Sequence, residues 1–466
     1  MFFLDPLFPL FVLGTILLAH FLKGGLAPAG IALLVDFAFM LLFLGPVQSA
    51  ILVGFALSGY VCLRYVGTAR GRLSIMSALV LGLFIVLKQY SFLPLALRPE
   101  SLPVAIGLSY VLFRLLHLII DRGQGSGPLP GLIPHLHYAL QCQSLASGPF
   151  QRYEDHEQAL IAARQPEPLR DLTRMANGFI KAAVIAPLVK EFQASITPSL
   201  IGGTVSAPAG GGLMVALLLA SAIVWLAFLY FNFSGYTDIV IAWARLCRID
   251  LPENFDRPWF ADSFLDFWSR WHISMTGWFR TYLFMQLMLK LGRYFPGRRL
   301  SLVLSAFSFF ITFLLIGVWH GPNWPFVACG LFFGAGACVN QVAREILRAR
   351  RIKLAAPLRF ALTTMSAGAA FCYIAFAIMP FWLTPDQYVV LLHTVFSPVA
   401  ILPFAALAAA TGFAAQFLRV VTGFAEKLGQ GQTLAGPMSI AARFVIVTLF
   451  VVSSSGALPD FVYKGI

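Results

Sequence analysis

The stretch LVLSAFSFFITFLLIGVWHG, from Leu302 to Gly321, decides the fold class of this chain. Its apolar part, Leu302 to Val318, approaches the roughly 20 residues needed to cross the hydrocarbon core of a bilayer. Trp319-His320-Gly321 follows directly and places an ionisable group in or near the membrane. Such a group is costly at that depth and indicates a functional site. Histidine is also the side chain best suited to moving protons near neutral pH.

The composition of the whole chain extends this interpretation. Of 466 residues, 59% are hydrophobic and only 11% are charged, where a soluble protein carries about 25% charged residues. We therefore expect an all-α polytopic membrane protein that forms a single integral-membrane domain over residues 1–466. Twelve apolar stretches predict membrane spans, near residues 7–22, 27–44, 48–66, 73–89, 103–120, 178–197, 211–231, 300–318, 324–342, 358–380, 398–418 and 438–453.

Three stretches are too polar to span a bilayer simply. Residues 131–150 and 232–290 carry much of the polarity between apolar runs. Irregular backbone at membrane depth survives only where it is buried in protein or lines a wet cavity. We therefore expect re-entrant or broken helices around a cavity in these two regions. Residues 151–174 are the most hydrophilic of the chain and predict a surface amphipathic helix or loop.

The net charge of +13 does not indicate a nucleic-acid partner. The basic residues cluster in short loops between apolar runs, around Arg70, Arg298 and Arg348. An excess of Lys and Arg marks cytoplasmic loops, so positive-inside topology explains the charge. Contact with membrane lipid headgroups is compatible with it. The six cysteines form no CxxC pair and are interpreted as small buried hydrophobes, so no metal site is expected.

A series of ordered motifs lies between Leu102 and Trp324. They are LPVAIGLSY from Leu102, SGPFQRY from Ser147, FSGYTD from Phe233, PENF from Pro252, and FWSRWHIS from Phe267. WFRTYL from Trp278 and GVWHGPNW from Gly317 continue the series. Together they are similar to the membrane-bound O-acyltransferase family, in particular to its bacterial branch of alginate O-acetyltransferases and teichoic-acid D-alanyl transferases. The resemblance divides the chain into N-terminal helices (1–99), a catalytic core (100–345) and C-terminal helices (346–466).

The resemblance implies a multi-helix bundle with a funnel or tunnel that holds the histidines, and transfer of an acyl group from a cytoplasmic thioester to a hydroxyl. His320 matches the family's WHG histidine and is the predicted general base, since a neutral imidazole can take a proton from an attacking hydroxyl. His272 matches the second family histidine, with a predicted role in orientation or donor binding. We expect Asp238 and Asn254 to be structural residues, Asp238 as the ion-pair partner of an arginine such as Arg270 or Arg280.

Further residues around the two Trp-His pairs predict substrate contacts. Asn323 could donate a hydrogen bond to a developing oxyanion, because amide side chains can serve that role. Trp319, Trp271 and Arg270 are predicted to bind substrate beside the histidines. Bundle packing and interfacial aromatic belts are the alternative explanation for the tryptophans, and contact with lipid headgroups is the alternative for Arg270.

The chain ends in DFVYKGI, from Asp460 to Ile466. This resembles an FxYxxF-type ending of the same branch or of its small partner peptides, in which the tyrosine is proposed to carry the acyl group. Ile466 stands where the last Phe of that ending is expected. Tyr463 is therefore a predicted acyl carrier, although an amphipathic tail with an interfacial tyrosine has the same pattern. A phenol needs an adjacent base to act as a nucleophile at pH 7.

The predicted function is O-acylation of an exopolysaccharide or other envelope glycan at the bacterial inner membrane. No bound cofactor is expected, and the acyl donor is acetyl-CoA or an acyl-carrier thioester. The predicted partners are a periplasmic SGNH-type acetyltransferase, a polysaccharide synthase or secretion complex, or an acyl-carrier protein. The alternatives are D-alanyl transfer to a cell-wall polymer, lysophospholipid acylation, and a non-catalytic scaffold or transporter for glycan export.

Overall fold

The computed structural model describes residue 5 and residues 7–22, 29–68, 71–90, 92–98, 102–162, 165–197, 211–297, 300–321, 324–349, 355–396, 398–429 and 437–453. Most of these residues are helical, and one isolated antiparallel bridge joins Phe255 and Trp271. The predicted all-α class is confirmed.

The helices follow one another with short connections. In the first half they are α1 (Leu7–Phe21), α2 (Ala29–Phe43), α3 (Pro46–Val66), α4 (Arg72–Leu87), α5 (Leu108–Gly123), α6 (Leu132–Leu140), α7 (Tyr153–Ala162), α8 (Pro168–Phe179), α9 (Ala186–Ile196) and α10 (Gly211–Leu246). In the second half they are α11 (Phe264–Arg270), α12 (Ile273–Phe279), α13 (Met285–Tyr294), α14 (Ser301–His320), α15 (Trp324–Ala349), α16 (Ala356–Ala377), α17 (Pro385–Val395), α18 (Ile401–Gly429) and α19 (Pro437–Ser453). A π-helical turn joins α8 to α9 (Ile180–Ile185), and another joins α12 to α13 (Arg280–Phe284).

Seven helical stretches in the described part of the chain are long and apolar enough to cross a membrane. They are Pro46–Val66, Pro168–Ile196, Met214–Leu246, Ser301–His320, Trp324–Leu347, Ala356–Phe381 and Ile401–Thr422. The predicted spans near 7–22, 27–44, 73–89 and 438–453 coincide with shorter apolar helices. The predicted span near 103–120 contains α5, which is buried along most of its length inside the bundle. The prediction of a polytopic membrane protein is confirmed.

Two boundary predictions were wrong. The hydrophilic residues 151–174 do not form one surface segment, because α8 begins at Pro168 and continues through the π-turn to Ile196 as an apolar spanning stretch. The polar residues after 232 are likewise the end of the long helix α10, which runs to Leu246. Asn232, Ser234 and Thr237 are 0–3% exposed there. Helix–helix contacts bury these polar groups, so local polarity did not mark a break.

The prediction of broken helices was right at two other places. Residues 131–150 contain the nine-residue α6 and a short 3-10 turn, and both are buried. The segment around the first Trp-His pair consists of two seven-residue helices, α11 and α12. These short helices lie against the long ones and form one wall of the site described below.

Glycines let the long helices approach backbone to backbone at two crossings. A Cβ atom on Gly235 would lie 2.7 Å from the carbonyl oxygen of Gly178, so α8 and α10 require glycine at this crossing. A Cβ on Gly317 would lie 2.5 Å from the Cα of Gly330, and α14 and α15 pack equally closely. Small residues at helix interfaces permit such close packing in membranes. The second crossing fixes α14, the helix that ends at His320.

Candidate active site

One mainly apolar cavity of about 300 Å³ holds both predicted histidines. Its wall includes His272 and Trp271 from the junction of α11 and α12, and Trp319 and His320 from the end of α14. Phe381, in the 3-10 turn after α16, contributes to the same wall. The sequence placed these two Trp-His pairs far apart in the chain, and the fold brings them to one chamber.

His320 lies among aromatic rings. Its imidazole centroid is 4.5 Å from the ring centroid of Trp319 and 4.9 Å from that of Phe381. The Tyr90 hydroxyl donates a hydrogen bond of 3.3 Å to the carbonyl oxygen of Trp319, which holds the last turn of α14. His320 itself is 8% exposed. This imidazole therefore lies on the mainly apolar wall of the cavity and is largely shielded from solvent.

His272 is held by an unusual backbone conformation. Its φ angle of 48° lies in the left-handed region, which a non-glycine residue rarely adopts unless its surroundings enforce it. The enforcing contacts come from the loop that carries the PENF motif. The amide of Ile273 donates to the carbonyl oxygen of Asn254 at 3.0 Å, and the amide of Asp256 donates to that of Arg270 at 3.0 Å.

The ring of His272 is fixed by polar partners. Its Nε2 lies 3.2 Å from the Tyr110 hydroxyl, and its Nδ1 lies 3.4 Å from Oδ1 of Asn254. The same Oδ1 accepts from the amide and the hydroxyl of Ser274, at 3.2 and 2.5 Å. The Ser274 hydroxyl in turn accepts from the amide of Phe150 at 2.9 Å. Four motifs that are distant in the sequence thus converge behind this histidine.

Tyr110 is a functional candidate that sequence reasoning missed, although its motif was noted. It lies in the first turn of α5, which starts after Gly107 at a φ of 89°. A Cβ on Gly107 would lie 2.7 Å from the carbonyl oxygen of Leu145. Only glycine fits this start of the helix without strain, and the start sets the direction in which Tyr110 meets His272.

The cavity extends along one face of α14, from Phe309 to His320. At a helical rise of 1.5 Å per residue this is about 16 Å. Two exposed arginines, Arg280 and Arg344, line it and carry no ion-pair or hydrogen-bond partner for their guanidinium groups within the described ranges. Phe284, one turn after Arg280, packs on Phe309 with ring centroids 4.3 Å apart.

The arginines therefore mark the end of the cavity opposite His320. For Arg344 this follows from the antiparallel pairing of α14 with α15, in which the Cys338 thiol donates to the carbonyl oxygen of Ala306. In the sequence Arg344 belongs to the basic cluster around Arg348. That cluster did not predict that Arg344 lines the cavity.

A second, larger cavity of about 640 Å³ adjoins the first. It lies between α7, the PENF loop and α12, and polar side chains such as Arg152, Asp155 and Glu253 line it. Both cavities are bounded by Ile273, Gly277 and Arg280. These three residues follow a helical stripe, so one face of one short helix separates the polar cavity from the apolar one.

Two indole groups on the apolar wall lack acceptors. The Nε1 atoms of Trp268 and Trp319 are buried and have no hydrogen-bond partner in the described part of the chain. Both residues line the cavity. A buried donor without a partner is costly, so a carbonyl or oxyanion bound in the cavity would offer what these groups lack. Trp319 was among the residues predicted to contact substrate.

Arg270 and Asp238 both form ion pairs. Arg270 does not line the cavity, because its guanidinium pairs with Asp266 and Asp256 at 3.2 and 3.4 Å. Its predicted contact with substrate stays a prediction.

Asp238 is a structural ion-pair partner as expected, but of other residues than the predicted Arg270 or Arg280. It binds Arg174 at 2.9 Å and Lys181 at 2.7 Å, so it joins α10 to α8 and its π-turn. Asn254, the other residue expected to be structural, makes the hydrogen bonds to Ser274 and His272 given above.

Glu253 shares the arginine that binds Asp238. Its carboxylate lies 2.5 Å from Arg174 and 3.3 Å from Arg245. Partial burial raises the pKa of Glu253, but the hydrogen bond and charge of Arg174, with the charge of Arg245, outweigh this and leave the pKa below its ordinary value. The carboxylate is therefore ionised and fastens the PENF loop to α8 and α10.

Two predicted site residues, Asn323 and Tyr463, lie outside the described residues. One group in the described chain has the composition of a metal site, namely His117, Asp121 and Glu154. Two of the three residues already have partners: Tyr282 donates to Asp121 at 2.8 Å, and Nε2 of His117 accepts from the amide of Tyr153 at 3.0 Å. We interpret this group as a hydrogen-bonded link between α5, α7 and the second π-turn.

Several bacterial proteins are similar to this chain. A teichoic acid D-alanyltransferase of Streptococcus thermophilus is 31% identical over 247 residues, 52% of this chain and 58% of that protein. A probable alginate O-acetylase of Azotobacter vinelandii is 30% identical over 258 residues, 55% of this chain and 47% of that protein. A teichoic acid D-alanyltransferase of Bacillus subtilis is 27% identical over 243 residues, 50% and 58% of the two chains. The chain spans about half the length of these relatives.

The family profile of the membrane-bound O-acyltransferases matches residues 120–376. This range contains α11 to α15, both Trp-His pairs and most of the cavity wall. It also contains the FSGYTD and PENF motifs, whose residues the structure places at the α8–α10 crossing and behind His272. The range exceeds half of the chain. The protein therefore belongs to the membrane-bound O-acyltransferase family.

Proposed function

We propose that this protein is a membrane O-acyltransferase that takes an acyl group from a pantetheine thioester and passes it to a hydroxyl at His320. The observation that carries the proposal is the shape and charge of one cavity. It has two histidines and the indole N–H of Trp319 at one end and two arginines at the other, and within the described residues that N–H and both guanidinium groups lack partners. A long apolar cavity with two arginines at one end suits the extended pantetheine group, which bears a phosphate at one end and the thioester at the other.

The donor enters at Arg280 and Arg344. Coenzyme A and the prosthetic group of a carrier protein share this phosphate-and-pantetheine chemistry, and arginine recognises phosphate well. Arg344 lies in a region whose basic cluster predicts a cytoplasmic face. The donor therefore comes from the cytoplasm, and its thioester reaches toward His320 and His272. The polar cavity beyond Gly277 would hold the bulkier part of the donor.

The chemical step is acyl transfer with His320 as general base. The acceptor oxygen attacks the thioester carbonyl carbon while its proton moves to His320. The indole N–H of Trp319, beside His320, donates a hydrogen bond to the oxyanion that forms. The C–S bond then breaks, the new C–O ester remains, and the leaving thiolate takes the proton from His320. The base is thereby returned to its neutral form.

The acyl group that we assign is acetyl from acetyl-CoA, and its first acceptor is the hydroxyl of Tyr463. A periplasmic SGNH-type acetyltransferase, or a polysaccharide synthase or secretion complex, would complete the transfer to an envelope glycan at the inner membrane. Support comes from the FxYxx ending and from the similarity to alginate O-acetylases. The similarity to teichoic acid D-alanyltransferases supports a second candidate, transfer of D-alanine from a carrier protein.

The test is intact-mass analysis of the purified full chain after incubation with isotopically labelled acetyl-CoA. Wild type is compared with His320→Ala and Tyr463→Phe. The exposed His393→Ala and Tyr65→Phe variants serve as matched controls. We expect a label on the C-terminal peptide that both test variants lose and both controls keep.

Other outcomes discriminate among the alternatives. A label elsewhere in the chain would retain the enzyme and discard the tyrosine carrier. Release of coenzyme A without any label would mean direct transfer to an external acceptor. If no label is bound and no coenzyme A is released, the assay is repeated with a D-alanyl carrier protein as the donor. If the protein is inactive with that donor too, the result supports a non-catalytic scaffold.

A further inference from the structure

We propose that Tyr110 is a positioning residue that holds His272 in a single neutral tautomer, with its proton on Nδ1. The inference deepens the proposed function, because it decides which of the two histidines is available as the base. It rests on the hydrogen bonds behind His272, away from the cavity. Tyr110 is 2% exposed and does not line the cavity, so it acts on the reaction only through His272.

The argument starts at Asn254, where the identity of the acceptor atom is fixed. The backbone N–H of Ser274 can only donate, so the side-chain atom 3.2 Å away must be the amide oxygen of Asn254. An amide oxygen accepts hydrogen bonds and donates none. The Nδ1 atom of His272, which lies 3.4 Å from that oxygen, must therefore carry the ring proton.

The second step concerns the other ring nitrogen. A neutral imidazole with its proton on Nδ1 has a lone pair on Nε2. The Tyr110 hydroxyl, 3.2 Å from Nε2, therefore donates its proton to this lone pair. Both ring nitrogens of His272 are thus engaged by the protein. The Tyr110 ring lies nearly parallel to the imidazole, with an interplanar angle of 25°, which fits a fixed relative orientation.

The surroundings make this arrangement rigid. Phe233 packs edge-on against the imidazole at a centroid distance of 4.8 Å and an angle of 87°. The left-handed backbone of His272 is clamped by the PENF loop. His272 would have to break a hydrogen bond to Tyr110 before Nε2 could accept a proton from an acceptor hydroxyl. In the resting site, hydrogen bonds therefore hold His272 in one orientation. We assign acceptance of the proton of the attacking hydroxyl to His320.

The test is the nitrogen-15 spectrum of the full-length protein labelled at histidine, with the His272 signals identified by their loss in His272→Gln. In wild type we expect a protonated Nδ1 and a hydrogen-bonded, unprotonated Nε2. In Tyr110→Phe the Nε2 signal should shift toward that of a free lone pair or report mixed tautomers. The matched control is Tyr373→Phe, which removes a buried hydroxyl that donates to the carbonyl oxygen of Phe332.

A kinetic measurement accompanies the spectrum. Tyr110→Phe should lower kcat about three- to tenfold with little change in the donor KM, as expected for the loss of one hydrogen bond. Tyr373→Phe should leave both values unchanged.

A wild-type spectrum with the proton on Nε2 would overturn the proposal even if the Tyr110 variant failed to fold. Unchanged His272 signals in a folded Tyr110→Phe protein would overturn it as well. The tautomer is measured without turnover, so inactivity toward every donor would refute the proposed function and leave this test intact.

Discussion

The two histidines of the cavity differ in how the protein surrounds them. His272 sits in a polar cage built from Tyr110, Asn254 and the loop that clamps its backbone. His320 ends a long apolar helix, and the rings of Trp319 and Phe381 frame it. The cage restricts one imidazole, while the aromatic frame shields the other from water. Two similar dipeptides in one cavity can therefore have unequal roles.

The largest expected effect tests this inequality directly. His320→Gln should lower kcat about a thousandfold, because it removes the general base. His272→Gln should lower it only about ten- to a hundredfold, because it removes an orienting group. Release of free thiol from labelled donor measures both, with the exposed His393→Gln as control. Equal losses, or a greater loss at His272, would contradict the assignment of the base to His320.

A smaller effect is expected at the opposite end of the cavity. Arg280→Gln or Arg344→Gln should each raise the donor KM about tenfold and leave kcat nearly unchanged, since each removes a charge-assisted contact made before the chemical step. The exposed Arg359→Gln provides a control for the loss of one positive charge. Steady-state kinetics at two ionic strengths would check this. A fall in kcat with an unchanged KM would place the donor phosphate elsewhere.

The smallest effect concerns the loop that carries the cage. The arginines lower the pKa of Glu253 in the folded protein. Its contribution to stability is therefore fully present above the ordinary pKa of about 4.5 and is lost as the pH falls through the lower pKa of the folded protein. Glu253→Gln should lower the melting temperature slightly near pH 7, and the difference from wild type should shrink as the pH falls below 4.5 and vanish only below the pKa of Glu253 in the folded protein. A difference that persists at low pH would assign the effect to packing.

Much of the fold could be predicted from the sequence, because the length of an apolar stretch and the spacing of motifs are local properties of the chain. The spanning helices around Pro46, Ser301 and Ile401 follow from hydropathy alone. The end of α10 did not, because Asn232 and Ser234 are buried by a neighbouring helix that no local pattern reveals. A polar residue in the sequence therefore does not by itself mark the end of a spanning helix, because neighbouring helices can bury it.

The candidate site shows the same limit. The two histidines and Trp319 were predicted, because family motifs carry them. The partner of Asp238 was predicted wrongly, since Arg174 lies 64 residues away in a stretch whose hydrophilicity suggested a surface segment. Tyr110 was missed because its role depends on a contact 162 residues away. Pairings over such distances are properties of the folded bundle.

The close crossing of Gly317 and Gly330 has a consequence for altering the acyl group that the protein accepts. Because the backbones of α14 and α15 touch there, that wall cannot retreat to admit a bulkier acyl group. The cavity can instead be narrowed from α12, since Gly277 lines it and a side chain added there would meet nothing within 4 Å. Replacing Gly277 by Ala, Val or Leu would reduce the volume of the cavity in steps. Chain-length selectivity in this scaffold is thus to be engineered from one side only.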